Sequence, residues 1–276
     1  MKRLIINADD IGMHPAVDDG VAELVDNGVV RAASVMVLGR PNRDTLTGIA
    51  RRGASLGLHL DFTSALAHSA YQDTTSLPSL MMSAWGGMLN PTRVLAAVDG
   101  QIQRFGELTG RAPDFIDGHE HVHQFPVIRD TLAQVLAARQ MQGTHIRITA
   151  PRQWRGTKAA LIGALGSAAL AKRVLKLGCR INGDFAGVYD LTATADLPAL
   201  WRQWLAGAPQ MGGLMMCHPA CQDLGREAFR VREFQFLMGA QFRDLCTEFG
   251  VQVVNWDEMA GGEGSLDTAG EGVGHG

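Results

Sequence analysis

Short apolar runs alternate with amphipathic stretches along most of this chain. Residues 3–8 form an apolar run that ends in Asp-Asp-Ile-Gly, which predicts a buried strand followed by a loop. Over 16–26 the apolar residues recur at helical spacing, and Asn27-Gly28 ends that helix. Residues 32–38 predict a second strand, so the chain begins with a βαβ unit.

The same alternation continues to residue 255. Five further strands are predicted over 55–60, 115–117, 145–149, 213–217 and 251–255. Helical stretches are predicted between them over 91–108, 126–140, 158–177, 195–206 and 228–248. Strands alternating with helices are typical of a parallel sheet in the α/β class. We expect this sheet to curl into a distorted (β/α) barrel resembling a TIM barrel.

Two segments depart from the alternation. Residues 63–90 lack periodicity, and a loop of that length in a compact domain is usually a lid or a binding loop, so we expect it to cover a substrate. Residues 261–276 contain almost no large apolar side chain and are expected to form a disordered, Gly-rich tail. His275 lies in this tail and is therefore not a candidate metal ligand. The sequence predicts one domain over 1–260.

Composition and charge narrow the class of partner. The 276 residues are 46% hydrophobic, which suffices for one large core, and the net charge of -3 provides no basic field for nucleic acid or an anionic membrane. We find no apolar stretch long enough to span a bilayer, and the apolar part of 1–8 is too short for a signal peptide. The sequence therefore favours a cytoplasmic protein with a small polar substrate; a homo-oligomer is compatible with it.

Acidic residues and histidines fall at the ends of the predicted strands. These positions are Asp9-Asp10, His59, the run from Asp117 to His123, and His218. Because the carboxyl ends of parallel strands in a barrel meet on one face, where active sites are built, we expect these side chains to converge.

Adjacent carboxylates at Asp9 and Asp10 repel each other unless a cation or hydrogen-bond donors lie nearby. Consecutive strand residues point to opposite faces, so the backbone must turn here if both are to serve one site, and Gly12 would assist that turn. The alternative is that the pair caps a helix or lies in a solvated loop.

The histidines carry the strongest local signal. In the run DGHEHVH the alternation of His119, His121 and His123 predicts several imidazoles on one strand face, and imidazole with carboxylate suits Zn, Mn, Ni or Co. His121 and His123 are alternatives as metal ligands or as groups that orient the ligands. His59 at the end of an apolar strand is, taken alone, more often a hydrogen-bonded core residue.

His218 precedes Pro219, which stops a strand because it lacks a backbone N–H. Such a histidine can serve as a general acid, and a structural role is an equal alternative at this stage. Arg147 ends another predicted strand and is placed to hold Asp9 or a sugar hydroxyl.

With these residues in view, the sequence resembles the YdjC-like carbohydrate deacetylase family, which includes the diacetylchitobiose deacetylases. The resemblance runs from about residue 3 to 256, and Arg232-Glu233 falls where the family has an Arg-Glu helix. The motifs that carry it are, in order, Asn7-Ala8-Asp9-Asp10-Ile11-Gly12, Gly57-Leu58-His59-Leu60, Asp117 to His123, and His218-Pro219.

The resemblance implies an N-deacetylase that acts on an amino sugar or chitooligosaccharide. It implies a divalent metal ion, with Mg, Zn, Mn, Co and Ni as candidates, held by Asp10, His59 and His119. It also implies that Asp9 is the general base and His218 the general acid. Asp117, His121, His123 and Arg147 are then expected to orient the ligands or to bind substrate.

Two other functions are weighed against this one. Another metal hydrolase, an amidohydrolase or a phosphoesterase, would use similar ligands, although a phosphoesterase is expected to bring more basic residues to the strand ends. A noncatalytic metal- or sugar-binding protein could share the fold but would not need both Asp9 and His218.

Overall fold

The computed structural model describes residues 1–71, 76–225 and 227–260. Within these ranges the strands are β1 (Lys2–Ile11), β2 (Ala32–Val35), β3 (Ser55–Leu60), β4 (Phe115–Gly118), β5 (His145–Ile146), β6 (Arg180–Ile181), β7 (Asp184–Ala186), β8 (Met211–Cys217) and β9 (Val251–Val253).

Helices follow most of the strands. They are α1 (Pro15–Asp26), α2 (Arg43–Arg51), α3 (Ala65–Ala70), α4 (Leu77–Trp85), α5 (Pro91–Thr109), α6 (Ile128–Ala138), α7 (Thr157–Ala164), α8 (Ser167–Lys176), α9 (Leu197–Ala206), α10 (Ala228–Met238), α11 (Ala240–Glu248) and α12 (Trp256–Ala260). A 3-10 helical segment, His119–Gln124, follows β4 and is called the His turn below.

The strands form one parallel sheet in the order β6-β5-β4-β3-β2-β1-β8-β7. This is the order of a (β/α) barrel opened between β6 and β7, which are the two ends of the sheet among the described strands. Strand β9 pairs with the first residues of β1, Lys2 to Leu4. The expected α/β class with a curled, barrel-like parallel sheet is confirmed.

Alternate residues of each strand point to the two sides of the curled sheet, as the period of two requires. On β1, Leu4 and Ile6 belong to the outer core that packs against the helices. Ile5 belongs to a separate inner cluster with Phe115, Phe185 and other side chains from β2, β8 and the chain beyond β9. The next residues on this inner face of β1 are Asn7 and Asp9, so the inner layer changes from apolar to polar toward the carboxyl end.

The amino end of the inner layer is closed by Trp256. Its ring is fully buried and stacks on Phe115 with centroids 5.2 Å apart, and its backbone N–H donates to Ser55 Oγ at the start of β3. Burying a large aromatic side chain contributes about 2 kcal/mol. The polar side chains at the carboxyl end of the sheet therefore lie next to a closely packed apolar cluster.

Local sequence signals set the limits of the longest helix, α5. Asn90 Oδ1 accepts hydrogen bonds from the first backbone N–H groups, Pro91 occupies the first helical position, and Gly110 ends the helix with φ of 74°. Its buried face, which packs on the outer side of the sheet, includes Val98, Ile102 and Phe105.

All seven predicted strands are present, although three are shorter than expected: the second ends at Val35, the one over 145–149 pairs only at His145 and Ile146, and the one over 251–255 ends at Val253. Strands β6 and β7 were not predicted, because they have two and three residues and lack a continuous apolar run. Helix α2 was not predicted because it buries only Leu46 and Ile49.

Two long predicted helices are each divided. The stretch over 158–177 forms α7 and α8, because Gly166 adopts φ of 125° and a Cβ there would lie 2.2 Å from the carbonyl oxygen of Gln124. The stretch over 228–248 forms α10 and α11, with Gly239 extended between them. The expectation of single helices was wrong at these glycines.

The aperiodic segment 63–90 is more ordered than expected, since it contains α3 and α4. Ser64 caps α3 by accepting from two backbone N–H groups, and Asp61 in turn accepts from Ser64. Residues 72–75 of this segment lie outside the described residues. The tail from Gly261, which includes His275, also lies outside the described residues. The disorder of this tail and the extent of the single domain therefore stay predictions.

Among the described residues, no helix combines the length and the apolar character needed to cross a bilayer.

A substitution at Gly57 tests the tight inner packing between β3 and β4. A Cβ at Gly57 would lie 2.3 Å from the Phe115 ring, which cannot retreat because it stacks on Trp256. Gly57→Ala should therefore lower the free energy of unfolding by roughly 1–3 kcal/mol in urea titrations. The matched control is Gly100→Ala within α5, where nothing lies within 4 Å and where Ala should be neutral or stabilising. Equal stabilities for the two variants would contradict this packing.

Candidate active site

The inner face of the sheet gathers the polar side chains at the carboxyl ends of the strands. The strand register pairs His59 with Asp117 on neighbouring strands, and Asn7 and Asp9 lie on the same inner face of β1. Arg147 directly follows β5, and His218 directly follows β8. The structure thus brings together the residues that the sequence places at five separate strand ends.

Asp10 joins this group through an unusual backbone conformation. Its φ is 75°, a left-handed value that costs a non-glycine residue about 1 kcal/mol, and the pairing register between β1 and β2 is interrupted at this point. The expected turn at Asp9-Asp10 therefore occurs at Asp10 itself. The result is that both carboxylates lie on one side of the sheet.

Three side chains have ligand atoms close enough to share a cation. Asp10 Oδ1 lies 3.0 Å from His119 Nδ1 and 3.4 Å from His59 Nε2. The ligand atoms of these three residues all lie within 4.8 Å of one another. A second overlapping group, Asp9 with His59 and Asp117, meets the same criterion.

The proton positions favour a cation between Asp10 and the two imidazoles. His59 Nδ1 lies 2.6 Å from Asp117 Oδ1 and serves as the donor, so in the neutral ring Nε2 carries a lone pair that faces the Asp10 carboxylate. Two acceptors at this distance repel each other unless a proton or a metal ion lies between them. One carboxylate with two imidazoles is a donor set that suits a divalent transition metal.

Without a cation, a proton takes its place. Burial lowers the pKa of His59, but Asp117, Asp10 and Asp9 outweigh it and raise the pKa to about 10. Burial raises the pKa of Asp10, but Arg230 and His119 hold it well below the ordinary value. The group therefore keeps an ionised carboxylate directed at two imidazoles.

Asp9 is held by a buried arginine. Arg147 Nη1 and Nη2 donate to the two Asp9 oxygens at 2.7 Å each, and Asn7 donates to Oδ1. Burial raises the pKa of Asp9, but Arg147 outweighs it and lowers the pKa well below its usual range. His218 Nε2 lies 3.9 Å from Asp9 Oδ2. Asp9 is therefore ionised and faces His218.

Asp117 connects His59, one of the three residues around the candidate cation site, to the same arginine. Its Oδ1 accepts from His59, while its Oδ2 accepts from Arg147 at 2.5 Å and from Ser34 at 2.6 Å. Such a carboxylate fixes both the tautomer and the orientation of the imidazole that it bonds.

The expected strand with alternating histidines is wrong. Strand β4 ends at Gly118, and the chain enters the His turn, which folds back so closely that a Cβ at Gly118 would lie 3.0 Å from His123. Glu120 and His121 adopt left-handed values of φ, 50° and 60°. The imidazoles therefore point in different directions instead of sharing one face.

Of the three histidines in the His turn, His119 is the one that contacts Asp10 and lies beside His59. The His121 ring stands perpendicular to Phe185 with centroids 5.7 Å apart, and its buried Nδ1 has no hydrogen-bond partner among the described residues. Burial and Arg147 lower the pKa of His121 well below its ordinary value. His123 is fully buried, and its Nε2 lies 2.9 Å from the Arg147 carbonyl oxygen.

Comparisons with known proteins identify the family of this chain. Residues 3–248 match the family model described as YdjC-like protein. The chain belongs to the YdjC-like family. It is 30% identical to the chitooligosaccharide deacetylase of Serratia marcescens, covering 80% of this chain and 83% of that protein. It is 29% identical to the carbohydrate deacetylase of Xenopus laevis, covering 93% and 98%.

Some matches within the YdjC-like family are shorter. The alignment with the chitooligosaccharide deacetylase of Enterobacter sp. (strain 638), at 32% identity, covers 52% of this chain and 62% of that protein. A solved structure, that of a putative cellobiose-phosphate cleavage protein from Enterococcus faecalis V583, is similar with a TM-score of 0.67 and 23% identity. It covers 93% of this chain and 98% of that one, a likeness of fold.

Several side chains of this YdjC-like site were not predicted. Asn7 and Ser34 lie beneath Asp9 and Asp117, and the signal that could have found them is a polar residue at an inward position of a buried strand. Arg230, whose Nη2 donates to Asp10 Oδ2 at 2.8 Å, comes from a distant helix with no local signal. Of the pair Arg232-Glu233, only Glu233 is buried and reaches the site.

The pKa of His123 provides a test of the buried His turn. Burial lowers this pKa from 6.5 to about 4. Between pH 6.5 and pH 4, His123 is therefore mostly protonated in the unfolded chain and mostly neutral in the folded chain. The stabilisation is complete above pH 6.5 and is lost as the pH falls toward 4. Between pH 7 and 4.5 the wild type should lose roughly 2–3 kcal/mol more unfolding free energy than His123→Gln, whose amide can still reach the Arg147 carbonyl.

The measurement is a series of urea titrations of both metal-free proteins at stepped pH. Contributions from the other titrating groups cancel in the comparison. Parallel curves for the two proteins would show that His123 binds its proton equally in the folded and unfolded states.

Proposed function

We propose that this protein is a divalent-metal-dependent deacetylase that removes the N-acetyl group of an amino sugar or a short chitooligosaccharide and releases acetate. The observation that carries the proposal is the convergence of Asp10, His59 and His119 beside the facing pair Asp9 and His218. The names of the relatives, chitooligosaccharide deacetylase and carbohydrate deacetylase, support the substrate class.

The ligands proposed for the metal are Asp10, His59 and His119. Oxygen with two imidazole nitrogens suits Zn, Mn, Co and Ni, and the carboxylate also accepts Mg. A bound divalent ion would lower the pKa of a water and polarise an acyl carbonyl. Arg230 occupies Asp10 Oδ2, so Oδ1 is the oxygen that faces the two imidazoles.

Asp9 is proposed as the general base. Its low pKa keeps it ionised at neutral pH, so it is ready to accept the proton of the attacking water. The two bonds from Arg147 fix the carboxylate and reduce its basicity at the same time. Positioning, more than proton affinity, is therefore what Asp9 contributes.

His218 is proposed as the general acid. An amine leaves an amide carbon readily only when its nitrogen is protonated as the C–N bond breaks. His218 faces Asp9 with its ring edge, so the two groups are placed to serve opposite proton transfers on one acetamide. Asp117 and Arg147 are proposed to orient His59 and Asp9, His123 to anchor the strand end through the Arg147 carbonyl, and His121 to contact substrate.

Phosphoryl transfer receives less support from this site. Arg147 already binds Asp9 and Asp117, and Arg230 already binds Asp10 and Glu227. In the described site, the charges of these two arginines are therefore neutralised by carboxylates. Binding a phosphate ester would require positive charge that is free to contact the phosphate oxygens.

The proposed function is tested with a panel of N-acetylglucosamine monomers and oligomers incubated with a metal series. Acetate release and the loss of one acetyl group by mass spectrometry are the expected results, with no phosphate released from model esters. Phosphate release without deacetylation would replace the proposal with a phosphoesterase, and metal or sugar binding without turnover would indicate a binding protein.

Metal content tests the ligand set directly. His59→Ala removes one of two imidazoles, so elemental analysis after dialysis should find most of the bound metal lost. The matched control is His68→Ala, an exposed histidine of α3, which should retain wild-type metal content. Full metal occupancy in His59→Ala would refute the proposed ligands, and chelation of the wild type should abolish its turnover.

Asp9→Asn and His218→Ala separate proton transfer from metal binding. Both variants should keep the metal, because neither residue is a proposed ligand. Asp9→Asn should also lower the melting temperature, because it removes a carboxylate from the buried ion pair with Arg147, so kcat is compared at a temperature where all the proteins are folded. Each should lower kcat by about 10²- to 10⁴-fold, the usual contribution of a general acid or base. A variant with wild-type turnover would remove that residue from the proposed mechanism.

A further inference from the structure

The backbone of His218 lies just beyond the end of the sheet. Pairing between β8 and β1 ends at Ala8 and Cys217, and the next residue after His218 is Pro219, which has no N–H to donate. The N–H of His218 therefore needs an acceptor from outside the sheet. That acceptor is Glu233 Oε2, on the buried face of α10.

Glu233 is itself held from its other side. Tyr189 Oη donates to Glu233 Oε1 at 2.8 Å, so both carboxylate oxygens are engaged by fixed donors. Glu233 is only 2% exposed and Tyr189 only 7%. Burial raises the pKa of Glu233, against the effects of His218, Tyr189 and Arg230, which favour the ionised form.

A buried carboxylate is an expensive way to satisfy one backbone N–H. Taking an ionised carboxylate out of water costs several kcal/mol even after its hydrogen bonds form, whereas a neutral amide or a carbonyl could accept the same bond at lower cost. The side chain of Glu233 makes these two hydrogen bonds and no others among the described residues. Glu233 thus commits both oxygens of a buried carboxylate to the His218 N–H and to Tyr189 Oη.

Helix α10 also meets the site at two neighbouring positions. The Phe229 ring lies 6.5 Å from the His218 ring at 75°, and Arg230 binds Asp10 one helical turn before Glu233. The charged or titratable groups that face His218 are Asp9 from β1, His121 from the His turn, and Arg230 and Glu233 from α10.

We propose that Glu233, held by Tyr189, is the positioning residue of His218. By anchoring the His218 backbone where the sheet ends, it sets the distance between the imidazole and Asp9. This inference rests on the proposed function for its kinetic tests, although the anchoring itself can be measured without any activity.

The first test compares two variants at position 233. Glu233→Leu removes the acceptor and should lower kcat by about 10²-fold with little change in KM, because misplacing a reacting group by about 1 Å has an effect of this size. Glu233→Gln keeps an acceptor of the same length and should retain most of the turnover. The control is Glu248→Gln, on the exposed surface of α11, with wild-type kinetics expected.

Two outcomes of this comparison would overturn the proposal. Wild-type kcat in Glu233→Leu would show that His218 needs no anchor from α10. Equal losses in Glu233→Gln and Glu233→Leu would show that the negative charge matters, not the position. Tyr189→Phe, which releases one carboxylate oxygen, should fall between the wild type and Glu233→Leu.

A double-mutant cycle distinguishes positioning from general damage. If Glu233 acts through His218, Glu233→Leu should cause no further loss of kcat in a His218→Ala background. Additive losses, or a loss of bound metal in Glu233→Leu, would assign Glu233 a structural role and contradict the proposal.

The anchoring is measured by backbone NMR of the zinc-loaded protein. In the wild type the His218 amide should exchange slowly with solvent and resonate downfield, as expected for a short bond to a carboxylate. In Glu233→Leu its exchange should accelerate while the amides of Met215 and Met216 within β8 remain protected. Unchanged exchange of the His218 amide in Glu233→Leu would refute the anchor, whether or not the wild type is active. A wild type that releases no acetate would refute the proposed function and leave the anchor to this exchange measurement.

Discussion

The site depends on a buried arginine. Arg147 is fully buried, and its guanidinium binds Asp9 with two hydrogen bonds and Asp117 with a third contact. Without it, two carboxylates would lie close together inside a curled sheet with little water, where their mutual repulsion would push the strands apart. With it, β1, β4 and the end of β5 are tied together at the height where the sheet becomes polar. The planar fork of arginine suits this task, since a lysine could not bind two carboxylates with the same fixed geometry.

The charges of this cluster leave room for one more cation. Asp9, Asp10 and Asp117 contribute three carboxylates, while Arg147 and Arg230 contribute two guanidinium groups that bind them. The excess negative charge lies where Asp10 Oδ1 faces His59 and His119. Although burial lowers the pKa of His59, these same carboxylates raise it to about 10, so in the absence of a metal ion a proton on the imidazole supplies positive charge at this place.

Three of the five non-glycine residues with left-handed φ in the described chain lie where the chain changes direction at the site; the other two are Val127 and Gln140. Asp10, Glu120 and His121 adopt left-handed φ values that side chains other than glycine rarely take. With regular strand backbone at these three residues, their side chains would lie on the opposite face of the sheet or beyond the site. The hydrogen bonds of Asp10 to Arg230 and its contact with His119 offset part of this cost. Strain at a functional site is tolerated where the surrounding packing is firm, as it is above the inner layer closed by Trp256.

The sequence by itself determined the class of fold and the edge of the sheet at which the acidic residues and histidines that follow the strands gather. Alternating apolar runs and helical stretches specify a parallel sheet because each strand must be buried on both faces. Residues that follow such strands share one edge, so Asp9, His59, Asp117 and His218 could be assigned to one place before any contact was known. Only the tertiary structure decided which atoms meet. Nothing local to the chain indicates that Arg230 reaches Asp10, 220 residues earlier, or that the Glu233 carboxylate accepts from the backbone N–H of His218. Nor could the pattern of alternating histidines reveal the His turn, because the left-handed backbone at Glu120 and His121 and the close contact of Gly118 with His123 arise only in the folded chain.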